Sequence, residues 1–371
     1  MVTEGTDEIS SAGATLQGSF SGATGQIYET GFKWGTSSSA LNQTATTDGT
    51  NESSGSFSVS LTSLDAATTY YYQAYVLEWD ESSNRYVEKY GSVKSFTTTI
   101  TSDYIPTGWL ELPSSASYSD FQGTFYGSGG NTEDNRNYTY NYSKTYYASL
   151  WVAYPLTSAQ CSGNADTSSW SYNPDFSSSY QVNVVSSSYP SMYGESSYSR
   201  GHLVPQADRK SDATMNKQTY YVTNQCPQLQ NKFNASIWAS LETAERTFAS
   251  STDVLYCVTG PCYKTVGGNE SITYFTGAEG KNANPSSLPV PNYYWKAFLK
   301  VTWVGDKVSK ASAIGFWFEH KEYASSDSYT NYAVSVDEIE RLTGFDLFAN
   351  LPDAVEVKAE ANSSLSAFSS F

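Results

Sequence analysis

Histidine is almost absent from this chain: 371 residues contain two, His202 and His320. Chemistry that needs an imidazole must therefore use one of them. Charge is scarce too, at 16% of residues, and it leans acidic, with a formal net charge of −16. That balance excludes long-range attraction of polyanions, because a general nucleic-acid binder carries a basic field. It does not exclude an enzyme acting on nucleic acid, because between Arg200 and Arg246 six Lys/Arg stand against four acids. No run approaches the roughly 18 apolar residues of a membrane span, and the opening MVTEGTDEIS is not a signal peptide, so the chain is expected to be soluble as written. The four cysteines have no CxxC pair and no histidine at zinc-ligand spacing, which argues against a structural zinc site. They permit three pairings. In CVTGPC the Gly260-Pro261 step is expected to turn the chain so that Cys257 and Cys262 form a disulfide, with buried free thiols as the alternative.

What the chain has in quantity is aromatic and hydroxyl side chains. Its 31 Tyr, 17 Phe and 9 Trp beside so little charge describe β-rich, extracellular-type domains. The length exceeds the roughly 250–300 residues at which one core stops growing, so two domains are expected, over residues 1–103 and 104–371. In the first, ATLQGSF, IYETGFKW, GSFSVSLTSL, TTYYYQAYVLEW and YGSVKSFTTT read as short strands separated by Gly, Ser, Thr and Asn. Phe57, Val59 and Leu61 alternate with hydroxyl residues, as a half-buried strand requires. With Leu64, Ala66, Thr68 and Tyr70 spaced two apart before the next strand, this segment resembles fibronectin type III-like modules, an all-β immunoglobulin-like sandwich in which Tyr70 falls on the corner tyrosine. Ala66 stands where those modules have proline. No candidate catalytic group lies there, so a spacer, docking or adhesive role is expected, its partner unspecified.

A linker around TTTITSDYIPTGW leads to the second domain, where NYTYNYSKTYYASLWVAYPL, VLYCVTG, NYYWKAFLKVTW and AIGFWFEH read as strands. A long Ser/Tyr-rich stretch from about Thr167 to Ser199 interrupts them, a length that in compact domains is usually functional or mobile. Ile237, Leu241, Ala244 and Phe248 make one apolar helical stripe after Asn234, with Asn234 and Glu242 on one side of it. Ser335-x-x-Glu338 is a capping box, and Gly344 stops that helix.

His202 sits in SRGHLVPQADR, followed by TYYVTNQCPQ and NASIWASLE. Singly, His202 reads as a loop histidine, Asn224 as a turn residue, Asn234 as a helix cap and Glu242 as a solvated helix acid. Their order and spacing argue against four coincidences. Together with ASLWVAYPL, VTGP, VPNYYWKAF and VSVDEIERLTGFDLF, these stretches resemble the DNA/RNA non-specific endonucleases, the sugar-non-specific branch of the His-Me finger (ββα-metal) nucleases, from about Trp109 to Glu360. The resemblance implies an α+β domain with an antiparallel sheet, a secreted or surface-associated bacterial protein, and DNA and RNA as substrates. It implies His202 as general base, Asn234 as the one protein ligand of Mg²⁺ (with Mn²⁺ as a substitute), Glu242 orienting a metal-bound water and Asn224 holding the site; Arg200, two residues before His202, is read from the sequence itself as a fixed cation of the catalytic group. Elementary chemistry agrees: a neutral imidazole can deprotonate water, and a hard cation needs few protein oxygens when phosphate and water supply the rest. Two departures stand out. Ser199 replaces the family's usual Asp, and Asn164-Ala165 stands where an arginine for the scissile phosphate is usual, leaving Arg200 or Arg209 to supply that cation. The rival expectation is a catalytically weakened nuclease scaffold that binds nucleic acid or adheres. His320 is expected to be structural.

Overall fold

The computed structural model describes residues 1–99, 106–114 and 119–371, so the centre of the expected linker, 100–105, lies outside the described residues. The chain divides into two compact units, Met1–Ile105 with Thr302–Lys310, and Pro106–Val301 with Ala311–Phe371.

The first unit contains a β-sandwich. Strands β1 (Val2–Asp7), β2 (Gly13–Ser21) and β5 (Ser54–Thr62) form one sheet. The other has the order β4 (Gln43–Thr50), β3 (Ile27–Gly35), β6 (Thr69–Asp80) and β7 (Arg85–Tyr90), with β8 (Lys94–Thr97) also on β6. Leu16, Phe32, Leu61, Tyr72 and Phe96 fill the space between them. The Tyr70 hydroxyl accepts a hydrogen bond from the Asp65 backbone N–H at 3.0 Å, which pins the corner before β6. Sequence reading missed β1, β4 and β7. Strand β4, QTATTDGT, has no buried residue, so no apolar alternation marks it; its partner β3 orders it through the backbone.

In the second unit a seven-stranded sheet runs in the order β19-β18-β17-β14-β11-β10-β9. The ranges are β9 Phe121–Tyr126, β10 Arg136–Ser143, β11 Ala148–Leu156, β14 Leu255–Cys262, β17 Tyr293–Val304, β18 Lys307–Glu319 and β19 Ala333–Val334. The smaller pairs β12 (Tyr198–His202) with β13 (Gln225–Leu229), and β15 (Thr273–Thr276) with β16 (Ser287–Val290), stand outside it. Every residue of β10 and β14 is buried, so these strands are covered on both faces. Tyr138, Tyr140, Tyr154, Leu255 and Phe298 share one core with Ile237, Trp238, Leu241 and Phe248 of the helical segment that follows β13. Each large apolar side chain buried there contributes about 1.5–3 kcal/mol, which fixes that segment on the sheet and gives the site a rigid floor.

The long stretch before β12 is packed. Val182, Val184, Tyr189, Met192 and Tyr193, the last three in the short helix α1 (Tyr189–Tyr193), form a satellite core with Val222, Phe275 and Leu288. Gln181 clasps it internally, donating to the Asn173 carbonyl (2.8 Å) and the Phe176 carbonyl (3.0 Å) while its own oxygen accepts from the Asn173 N–H (2.9 Å).

The expected disulfide is absent: all four cysteines are free. Gly260-Pro261 does not turn the chain but lies within β14, where Cys257 pairs with Phe298 and Cys262 with Tyr293. Five residues of extended strand separate the two thiols by roughly 16 Å, far beyond bridging distance. Burial pushes the Cys161 and Cys262 thiols up to about 12 and Cys226 and Cys257 higher. Without reductant, four thiols are therefore expected to titrate with a disulfide-exchange reagent in denaturant, and none rapidly in the native protein. A count of two in denaturant would refute this arrangement.

Candidate active site

His202 ends β12, directly opposite Gln225 on β13, with Gly201 opposite Cys226 and Ser199 opposite Gln228. Gly201 is required by close approach: a Cβ there would fall 2.1 Å from Gln228 Oε1. Between the strands lie α2 (Ala213–Gln218), whose first turn is capped by the Asp212 carboxylate, and the buried Asn224. The Asn224 amide oxygen accepts from the Val204 N–H (2.9 Å), and its nitrogen donates to the Val204 and Thr219 carbonyls (3.0 and 2.9 Å). Both of its N–H groups are committed, so Asn224 acts by holding the chain just beyond His202.

After β13 the chain winds helically at once. Residues Gln230–Trp238 form a wide helical segment with a non-helical turn at Ala235, and α3 (Ala239–Ala249) continues from it. Asn234 lies just before that turn. Its Nδ2 donates to Ser199 Oγ (2.9 Å) and to Gln230 Oε1 (3.2 Å). The amide nitrogen is thereby anchored on both strand and helix, which leaves Oδ1 as the unused ligand atom. Ser199 serves here as a neutral acceptor for the amide where a carboxylate is usual. Glu242 is on α3, half-buried. Desolvation pushes its carboxyl up to about 7, against the lowering pull of Lys296.

The His202 ring packs between Trp170 and Tyr220, each 4.8 Å away by ring centroid. The paired backbone explains that sandwich: the Ser171 N–H donates to the Tyr220 carbonyl and the Val222 N–H to the Ser171 carbonyl, which ties the loop carrying Trp170 to the one carrying Tyr220. Nε2 of His202 is buried without a hydrogen-bond partner, in a ring that is half-buried as a whole. Burial lowers its pKa to about 4, and the nearby Arg200 guanidinium adds to the effect. The Arg200 guanidinium lies 5.0 Å above the Trp170 ring, and its Nη1 donates to the carbonyls of Val184 (2.8 Å) and Ser187 (2.9 Å). His320 differs in kind. Its Nε2 accepts from the Leu229 N–H (3.0 Å) and its Nδ1 contacts the Pro291 carbonyl (2.9 Å), so both nitrogens are used to clasp the end of β13.

A neutral, unpartnered imidazole and a free amide oxygen thus project from one β–β–helix element. The family described as DNA/RNA non-specific endonuclease matches residues 120–354, which span that whole element. The chain belongs to this family. Among its relatives are the mitochondrial nuclease 1 of Schizosaccharomyces pombe (31% identical over 163 residues, 43% of this chain and 49% of that protein) and a nuclease of Nostoc sp. (30% over 229 residues, 60% and 75%). A nuclease of Serratia marcescens is 26% identical over 226 residues, covering 60% and 77%. The match to the S. pombe protein spans about half of that relative's length.

Beneath the site of this non-specific endonuclease family member lies a buried charge network. Lys296, the fourth residue of β17, pairs with Glu245 of α3 at 3.0 Å, both fully buried, and Glu245 also accepts from the Tyr154 hydroxyl. Asp208 is fully buried and pairs with Arg246 at 3.0 Å; burial and Glu245 hold its carboxyl well above the usual range. Sequence reading missed Trp170, Tyr220, Arg246 and the Lys296–Glu245 pair. Lys296 alone left a signal, a lysine inside the apolar run YYWKAFL.

Arg209 cannot supply the missing phosphate cation. Its guanidinium is fully buried, bonded to Asn137 Oδ1, the Asn137 carbonyl and the Pro155 carbonyl, and it buttresses the sheet instead. The segment around Ala165 is held against the chain following His202 by the Ala165 N–H to Lys210 carbonyl bond and by the Lys210–Asp166 ion pair, both 3.0 Å. Beside His202 itself, the cation is Arg200.

Proposed function

We propose that this protein is a metal-dependent endonuclease that hydrolyses phosphodiester bonds of DNA and RNA without sequence preference. The observation that carries the reading is the His202 ring, neutral over the physiological range and bound to nothing, on the element that also presents Asn234 Oδ1. In this reading water attacks phosphorus in line with the departing 3′-oxygen. A new P–O bond forms, the P–O3′ bond breaks, the water's proton passes to His202, and the departing 3′-oxygen takes up a proton from solvent water, leaving 5′-phosphate and 3′-hydroxyl ends. The scissile phosphate also assists the base: an anion beside the ring favours imidazolium and offsets the lowering caused by burial and Arg200. Asn234 Oδ1 would hold a magnesium ion and Glu242 would orient water beside it, since a hard cation needs few protein oxygens when water and phosphate supply the rest. When bound, the ion supplies charge stabilisation on the phosphate oxygens. Arg200, whose guanidinium lies over the same Trp170 ring that packs on His202, is the cation assigned to oppose that charge.

The site reads phosphate and carries no base code, so smears rather than discrete bands are expected from plasmid and from RNA in Mg²⁺, and intact substrate in EDTA. Bands from one motif would refute the lack of preference, and intact substrate in Mg²⁺ would favour a binding scaffold. Asn234→Ala is expected to depress cleavage strongly at low Mg²⁺ and to recover partly at high Mg²⁺, because a ligand is lost while the base stays. An unchanged Mg²⁺ dependence would remove Asn234 from the metal.

A further inference from the structure

A second group of carboxylates lies on elements the reaction does not use. Helix α4 (Val336–Thr343) carries Asp337 and Glu340, and helix α5 (Asp353–Glu360) ends at Glu360. One carboxylate oxygen from each lies within 4.8 Å of the others. Exposure is graded across the group: Asp337 is exposed, Glu340 half-buried, and Glu360 only 6% exposed. Surface acids often cluster with no consequence. Glu360 is different, because its Oε1 is buried and has no hydrogen-bond partner. An ionised oxygen taken from water and given neither a donor nor a counter-charge is among the costliest groups a fold can bury. The cation that α4 itself offers is engaged elsewhere, since Arg341 is paired with Glu338 at 2.6 Å.

We propose that Asp337, Glu340 and Glu360 form a calcium site that ties the end of α5 to α4. Asp337 and Glu340 are three residues apart and so share one face of α4. Calcium binds carboxylate oxygens at about 2.3–2.6 Å and accepts 6–8 of them in flexible geometry, so oxygens up to about 4.8 Å apart can share one ion, while exposed Asp337 leaves a side open for water. Magnesium keeps several of its waters and usually binds through one or two carboxylates, so a group of three carboxylates suits calcium better. One Glu340 oxygen is already held by the Leu347 N–H at 2.7 Å, which orients its carboxylate. In the absence of a cation, burial pushes Glu360 up to about 10, with Glu340, Glu356, Asp337 and Asp346 adding to the shift. Calcium would take the place of the proton that Glu360 otherwise keeps.

The test uses the full chain carrying Asn234→Ala, so that the proposed catalytic cation site does not contribute. Calorimetric titration with CaCl₂ is expected to show one calcium per chain, and thermal unfolding to shift upward in calcium relative to EDTA. Glu360→Gln on that background should weaken calcium affinity by about tenfold or more and abolish the thermal shift. In EDTA it should unfold no earlier than its parent, because without calcium Glu360 keeps its proton and the amide replaces a neutral carboxyl of the same shape. Asp337→Asn, at an exposed position where folding is not at stake, should weaken calcium in the same direction. Plasmid cleavage in Mg²⁺ by the chain with Asn234 intact should be unchanged by Glu360→Gln, which separates this site from the nuclease reading. Absence of stoichiometric calcium binding on the Asn234→Ala chain, or binding that both acidic substitutions leave unaltered, would overturn the proposal.

Discussion

His202→Ala is expected to slow the chemical step by about a hundredfold to ten-thousandfold while leaving fold and Mg²⁺ affinity nearly intact. The ring is bonded to nothing, so its removal breaks no hydrogen bond, and it opens a slot between Trp170 and Tyr220. Added imidazole should enter that slot and restore part of the rate. At pH 8, a series of imidazoles of different pKa should rescue in proportion to their neutral fraction and basicity. The wild-type pH profile should contain a less obvious feature. With its pKa lowered to about 4, His202 is already neutral from pH 5 upward and contributes no limb in the usual working range. Glu242, raised to about 7, gains its negative charge only as pH rises through that value, so activity that needs its carboxylate should increase through about pH 7. That limb should survive in His202→Ala and disappear in Glu242→Gln. Its loss in the histidine variant instead would mean that His202 titrates near 7 and is not desolvated as the structure places it.

Lys296→Met is expected to destabilise the second unit by about 3–5 kcal/mol, the usual cost of removing one partner from a buried ion pair. For a unit of this size that is a fall of about 10 °C in Tm. Glu245 would keep the Tyr154 hydroxyl but lose the one opposing charge in direct contact with it among the described residues, with the buried Asp208 nearby raising the cost. Combining it with Glu245→Leu should recover most of the loss, because two apolar side chains replace a pair whose desolvation is then avoided. Thermal unfolding of the two single variants and the double variant measures this directly. Additive losses in the double variant would show that the pair is not coupled and that Lys296 acts through packing alone.

The particular residues divide sharply in how legible they were. The helical stripe Ile237, Leu241, Ala244 and Phe248 is wholly buried, and Ser335 accepts from the Glu338 N–H while Gly344 takes the left-handed cap, as period and capping chemistry require. These are short-range rules, satisfied within a few residues of chain. The Cys257–Cys262 expectation failed because a Gly-Pro step is a turn only when nothing else claims it. Here β11 and β17 pair on either side of that step and hold it extended. Arg209 looked like an available cation, yet the carbonyls of Asn137 and Pro155, more than fifty residues upstream, consume it.

The sequence by itself determined the order of the strands and helices that alternation marks, and the spacing of His202, Asn224, Asn234 and Glu242, because those patterns are written in neighbouring residues. Only the tertiary structure decided what each group is free to do. Whether a ring nitrogen is left unpartnered, a guanidinium is spent, a lysine meets a buried glutamate or a carboxylate is sealed among others depends on residues brought together from distant parts of the chain. Desolvation and pairing, which set charge state and reactivity, are properties of that assembly and not of local order along the chain.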